Sequence, residues 1–296
     1  MAQEDYSLES YFGTDKVFTT DSPFLVSSSQ LLNDPLARDH FVTSSFRRNH
    51  PELPTYVDNT RTVPISKAHF ARNAKRIEEL MIAERRRNPA FDAYFEERHY
   101  DDLRMEKLAT YPHDSVGNIL YRFCKSNNYA PVLGTADSYD NSNFGFFMTR
   151  VGQTHDLEHL LAGFGFDYFG EQGAVWIRHA AYFRYLDPEL AGYLNTTYLF
   201  IMIPMLTRTM LHYPQTQQAL WDIISDAMAI GRTSEPIYLM KYDPVLHLSI
   251  PEAREALGYR NTVDRDVRAE ATVWAEGIAA ALDPRLGEDI PRTEAA

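Results

Sequence analysis

From about Ile65 onward the chain carries apolar residues at three- and four-residue steps. Phe70, Ala74, Ile77 and Met81 form one stripe, with Arg72, Lys75, Glu78, Glu79 and Arg85 between them. That period predicts an amphipathic helix. Arg85, Arg86 and Arg87 suit the negative end of its dipole and read as a solvated terminus. Ser115–Lys125 repeats the pattern, with Val116, Ile119, Leu120 and Phe123 on one side. Asn127 to Asn143 is rich in Asn, Asp, Ser, Gly and Pro and reads as a loop. Asp187-Pro188 offers an N-cap followed by Pro at the first helical position, and Pro214 and Pro251 read as further helix starts. A last helix is predicted within Asn261–Leu282, where Val263, Val267, Ala271 and Trp274 share a face, and a frayed tail follows. No convincing alternating strand pattern is present. The expected fold class is therefore all-α, a single compact multi-helix domain. Residues 1–64 read as an irregular arm packed on the core, with one short helix near Asp34–Phe46. Residues 65–262 form the helical core, and 263–296 the C-terminal helix and tail.

Composition narrows the function classes. The chain has 296 residues, 44% hydrophobic and 24% charged, an ordinary globular balance. A single cysteine, Cys124, excludes an intramolecular disulfide framework and a Cys-rich zinc module. The net charge of −12 argues against nucleic acid as a partner. The acidic start, Met-Ala-Gln-Glu-Asp-Tyr, has the character of neither a signal peptide nor a transit peptide. The most apolar run, Tyr198–Leu206, is shorter than the ~20 residues of a membrane span and reads as a buried helix. A cytoplasmic protein without a transmembrane segment is expected.

One segment carries candidate chemistry: His155-Asp156-Leu157-Glu158-His159, then a Gly-rich stretch to Gly170, then Glu171. On a helix of about 100° per residue, His155 and His159 stack one turn apart, the spacing that lets two imidazoles grip one metal. Asp156 and Glu158 fall on opposite flanks of that face. Gly163, Gly165 and Gly170 predict a break, with a new helix near Glu171 that returns this carboxylate over the histidines. Three readings fit. Glu at the second position of H-E-x-x-H is replaced by Asp156, so the usual zinc-protease pattern fails. The inverted H-x-x-E-H pattern is met by His155, Glu158 and His159, with Glu158 as base of a metallopeptidase. The third is a two-His, two-carboxylate site of His155, Asp156, His159 and Glu171.

The third reading resembles the coenzyme Q (ubiquinone) biosynthesis protein four family, whose signature is H-D-x-x-H, eleven residues, then Glu. Tyr111-Pro112-His113-Asp114-Ser115-Val116-Gly117 is similar to that family's Pro-x-x-Ser-x-Gly stretch. Gly231-Arg232 through Lys241-Tyr242-Asp243, and Ile250 through Gly258, resemble its C-terminal region. The likeness covers roughly residues 65–260. It implies an all-α fold and one divalent metal ion held by His155, Asp156, His159 and Glu171. It also implies a role in ubiquinone biosynthesis: oxidative decarboxylation, in which the carboxylate of a prenylated 4-hydroxybenzoate-derived ring is replaced by hydroxyl. The implied partners are a prenylated aromatic acid or another isoprenoid lipid and other quinone-biosynthesis enzymes; a homodimer is a separate expectation. Peripheral contact with the cytoplasmic face of the inner membrane goes with that role.

Two imidazoles and two carboxylates accept zinc, iron, manganese or cobalt. Arg150, five residues before His155, and Arg178, seven after Glu171, are candidates to support the site or to meet an anionic substrate. His179 and Glu158 are candidates for supporting the ligands from behind. The competing account is a non-enzymatic isoprenoid-binding scaffold that organises quinone-biosynthesis enzymes around a structural metal.

Overall fold

The computed structural model describes residues 30–49, 59–128, 131 and 141–274. The chain divides into two units, Met1–Asp39 and His40–Ala296. Helix α1, Pro35–Phe46, begins in the first, where the Asp34 carboxylate accepts from the amides of Leu36 and Ala37 at 2.9 and 3.3 Å. This is the short helix expected near Asp34–Phe46. The rest of the arm up to residue 29, the segment 50–58, most of the loop after Asn128, and the tail from residue 275 lie outside the described residues.

The second unit contains α2 (Asn59–Arg87), α3 (Pro89–Glu97), α4 (Val116–Ser126), α5 (Asn143–Ala162) and α6 (Tyr168–Tyr185). It continues with α7 (Pro188–Asn195), α8 (Leu199–His212), α9 (Gln217–Thr233), α10 (Ile250–Leu257) and α11 (Arg268–Trp274). Among the described residues there is no strand, only an isolated bridge between Ser115 and Ser249. The all-α expectation holds.

Local sequence explains most boundaries. Asn88, Ser115, Ser142, Asp167 and Asp187 each cap a following helix through a side-chain oxygen. Three boundaries differ from the pattern. Helix α2 starts at Asn59 rather than near Ile65, because residues 59–64 are mostly polar and Pro64, in its second turn, hid the start. Pro214 opens a 3₁₀ turn, Pro214–Thr216, that leads into α9. Residues 259–267 are not helical, so the C-terminal helix is described only as α11.

Two apolar groups form the interior, and α5 and α6 contribute to both. Phe146, Phe147 and Val151 of α5 and Tyr182 of α6 pack with Ile77, Met81 and Phe91. Leu157, Leu160 and Leu161 of α5 and Ile177 of α6 pack with Leu120, Ile223 and Ala227. A helix apolar on several sides is buried on several sides, which fixes its position tightly. The apolar run at 198–206 is part of a longer helical stretch, Pro188–His212. Its 25 residues, with a mean hydropathy of 1.2 over the most apolar window, are long and apolar enough to cross a membrane, and 44% of that window is buried. Phe200, Met202 and Met205 belong to its buried part.

Asp167 ends the turn between α5 and α6, and its carboxylate accepts from the amides of Phe169 and Gly170 at 2.8 and 2.9 Å. Asp167→Ala should lower stability by about 1–2 kcal/mol in urea unfolding. An unchanged midpoint would show that the cap contributes nothing to α6.

Candidate metal centre

The expected break between the two ligand-bearing segments is present but shorter than the glycines suggested. Helix α5 ends at Gly163, whose φ of 90° is in the left-handed region that glycine tolerates. Helix α6 begins at Tyr168, so Gly170 lies within its first turn. A Cβ on Gly170 would fall 1.7 Å from the Gly165 carbonyl oxygen, so the turn folds directly onto the start of α6. Glu171 is thereby one residue past a tight contact and projects back toward α5.

Three donor side chains meet there. His155 Nε2 is 3.2 Å from His159 Nε2 and 3.2 Å from Glu171 Oε2, and His159 Nε2 is 3.5 Å from Glu171 Oε1. The imidazole planes are nearly perpendicular, at 82°. Bonds of about 2.0–2.2 Å to one tetrahedral ion would separate its donors by about 3.3–3.6 Å. The contacts run through both Glu171 oxygens, Oε2 toward His155 and Oε1 toward His159, and one ligand atom from each of the three residues lies within 4.8 Å of the others, so the three side chains suit a single cation. His159 Nδ1 lies 2.8 Å from the Gly165 carbonyl oxygen. A carbonyl only accepts, so Nδ1 carries the proton and a neutral His159 presents a lone pair at Nε2. Phe166 stacks on the His159 ring, and Phe123 stacks on Phe166. His159 is fully buried, whereas the side chains of His155 and Glu171 are 29% and 31% exposed. The cluster is walled on one side and reachable on the other.

The electrostatics follow from this crowding. Burial opposes charge on His155, but the Glu171 carboxylate outweighs it, and the imidazole pKa sits above its usual value. Burial likewise opposes charge on Glu171, and the two imidazoles hold its pKa well below the carboxylate range. Two imidazoles facing one carboxylate make a donor set suited to a cation.

The other predicted residues separate clearly. Asp156 is half-buried beside His155 and contributes to its field, but its carboxylate is not among the atoms that converge within 4.8 Å. Glu158 faces away from the cluster. Its Oε2 accepts from Arg178 Nε at 2.7 Å, and its Oε1 accepts from Arg178 Nη2 at 3.0 Å and Thr154 Oγ1 at 2.8 Å. These side chains are 2% and 8% exposed. A carboxylate held at both oxygens in the interior is no base for a water, so the peptidase reading fails on geometry. Arg178 is correspondingly not a substrate-facing cation. Its Nη2 also donates to the Val151 carbonyl at 2.7 Å, which ties α6 to α5.

Arg150 is equally engaged. It donates to Asp101 Oδ2 at 2.7 Å, to the Met240 carbonyl at 2.9 Å and to Gln153 Oε1. Asp101 also accepts from the amides of Tyr242 and Asp243. His99, Asp101 and Asp243 converge as a second group of metal-ligating types. Arg150 and Lys107 already pair with those carboxylates, so the group is an ion-paired clamp between two loops. His179 lies between the rings of Trp176 and Phe183, outside the donor cluster, and burial lowers its pKa. The basic end of α2 is likewise committed: Arg85 pairs with Asp92 and Glu96, and Arg87 with Glu84. Sequence reading named Gly165 only as part of the break and Phe166 only as one of several apolar residues beside the motif; their contacts with His159 went unseen, because a backbone carbonyl and a stacked ring leave no spacing signature.

Residues 95–262, more than half of the chain, match the family described as coenzyme Q (ubiquinone) biosynthesis protein Coq4. The chain belongs to that family. The match takes in both histidines, Asp156 and Glu171, and starts at 95 rather than near 65. Family members take part in ubiquinone biosynthesis, and this chain is therefore a ubiquinone-biosynthesis protein. Among solved structures, a Nostoc punctiforme PCC 73102 protein provisionally assigned to ubiquinone biosynthesis shares the fold. Its TM-score is 0.52 at 20% identity, over 75% of this chain and 93% of that one. No curated protein matches the chain.

Breaking the Glu158–Arg178 pair from one side should be costly. Glu158→Ala is expected to destabilise the protein by about 3–5 kcal/mol in urea unfolding, because it strands a buried guanidinium. A loss below 1 kcal/mol would show that the pair is not buried as described.

Proposed function

We propose that this protein is a metal-dependent enzyme of ubiquinone biosynthesis that replaces the ring carboxylate of a prenylated 4-hydroxybenzoate by a hydroxyl. The observation that carries the reading is the convergence of His155 Nε2, His159 Nε2 and the Glu171 carboxylate at 3.2–3.5 Å, open to solvent on one side. Family membership supplies the pathway, and the cluster supplies a seat for a divalent cation. Asp156, adjacent to His155, is the residue that would complete a four-ligand set. Bound there, a divalent ion would stabilise negative charge on the ring's carboxylate or phenolate, and iron or manganese would add the redox chemistry that zinc lacks. Gly165 keeps the His159 proton on Nδ1, away from the donor side. Phe166 shields the inner wall from water.

The net reaction expels carbon dioxide and adds one oxygen atom to the ring. It is a two-electron oxidation, balanced when water supplies the ring oxygen and dioxygen from solution takes up two electrons and two protons and leaves as hydrogen peroxide. The prenyl tail requires an apolar surface. Leu199, Ile201, Ile203 and Leu206 of α8 are exposed or half-exposed and are candidates for it. Contact with other enzymes of the pathway, a homodimer, and peripheral attachment to the cytoplasmic face of the inner membrane belong to the same proposal. The scaffold account, with a structural ion, calls for a saturated site. The partial exposure of His155 and Glu171 favours a site with a free position instead.

The test is turnover. Full-length protein loaded in turn with Fe²⁺, Mn²⁺, Co²⁺ or Zn²⁺ is incubated with prenylated 4-hydroxybenzoates and dioxygen. Carbon dioxide release and the hydroxylated ring are then quantified. His155→Ala and Glu171→Ala should each lower the rate about a hundredfold or more while retaining helicity. Turnover that survives both substitutions and exhaustive chelation would refute the reading.

A further inference from the structure

The non-helical segment 259–267 runs across the turn that joins the two ligand-bearing helices. The Val263 carbonyl and the Asp264 carboxylate lie over Gly163: a Cβ built there would be 2.5 Å from Val263 O and 3.0 Å from Asp264 Oδ1. The segment is fastened on two sides. On one, Arg254 of α10 forks onto Asp264, with Nη1 donating to Oδ2 at 3.1 Å and Nη2 to Oδ1 at 2.7 Å. On the other, Arg265 pairs with Asp226 and Asp222 of α9. Arg254 makes one more contact. Its Nε donates to the Leu161 carbonyl at 2.8 Å. Leu161 lies in the last turn of α5, where carbonyls have no partner within the helix and need one from outside.

We infer that Arg254 and Asp264 are positioning residues for the metal centre, acting through the Gly163–Gly165 turn on His159. The inference rests on the metal reading proposed above. The connection is short, hydrogen-bonded at Leu161, Asp264 and His159 and closely packed at Gly163 and Gly170. Arg254 holds the end of α5 at Leu161, only two residues past His159. Asp264 and Val263 close the space above Gly163. Two residues further on, Gly165 offers the carbonyl that accepts from His159 Nδ1 and so sets both the tautomer and the ring angle. Gly170 rests against that same carbonyl, so a turn that relaxed would shift Glu171 as well. One guanidinium thus constrains a ligand on each helix without touching any ligand atom. Partners behind metal ligands commonly change metal affinity about 10–100-fold when removed.

The test uses full-length protein with Co²⁺ as the probe, whose visible absorption reports coordination geometry. Affinity is measured by competition with a chelator, and the thermal midpoint of metal-free protein is recorded in parallel. Arg254→Ala is expected to weaken Co²⁺ binding about tenfold or more and to alter the visible spectrum. Arg254→Lys, which keeps a single donor, should fall between it and wild type. Asp264→Asn, which retains the Leu161 contact, covers the case in which Arg254→Ala fails to fold, and should move the spectrum in the same direction. Unchanged Co²⁺ affinity and spectrum in these variants, whatever happens to the metal-free midpoint, would overturn the inference and leave segment 259–267 as packing alone. A wild-type protein that binds no Co²⁺ would overturn the metal reading itself, and the positioning role with it.

Discussion

Glu158 and Arg178 face each other between two helices that are buried on several sides. Neither charge can be left alone there, because an unpaired ion in the interior costs several kcal/mol. The pair therefore fixes the register of α6 on α5, and Arg178 adds a second tie through the Val151 carbonyl. The donor cluster depends on that register. His155 and His159 sit on one helix and Glu171 on the other, so a slip of one turn would separate them by about 5 Å. Arg178 also opposes charge on His155 from behind, while Glu171 favours it from the front.

Around that pair the site is built largely from backbone. Asp167 caps α6, Gly163 turns the chain, and the Gly165 carbonyl orients His159. Membership of a ubiquinone-biosynthesis family gives this arrangement a pathway. The cluster's walled and open sides give it a direction of approach. The rest of the fold supports these elements: α9 packs along α6, with Gly231 close against the Ile177 carbonyl, and the Arg150–Asp101 clamp ties the loop at 101 to that at 240–243.

Much of the fold was legible in the sequence because it rests on local chemistry. The Asp187 cap, the stripes of Phe70, Ile77 and Met81 and of Val116, Ile119, Leu120 and Phe123, and the one-turn spacing of the histidines all encode positions through short-range rules. What was not legible is long-range. Glu158 stands in a motif position that fits a catalytic base, and only its meeting with Arg178, twenty residues on, removes it from that role. Arg150 looked like a candidate anion ligand until Asp101, far earlier in the chain, absorbed its charge. Gly170 read as a helix breaker, because glycine's cost in a helix is visible in sequence while the close approach of Gly165 that requires it is not. Residues 59–64 gave no period, so the first turns of α2 went unseen.

The central claim is that His155, His159 and Glu171 hold a divalent cation. It is tested most directly by elemental mass spectrometry of protein purified without chelator or metal-affinity resin, beside a His155→Ala/His159→Ala double variant of equal helicity. The account predicts about one divalent metal per wild-type chain and none in the variant. Equal metal content in the two proteins, or none in either, would contradict it.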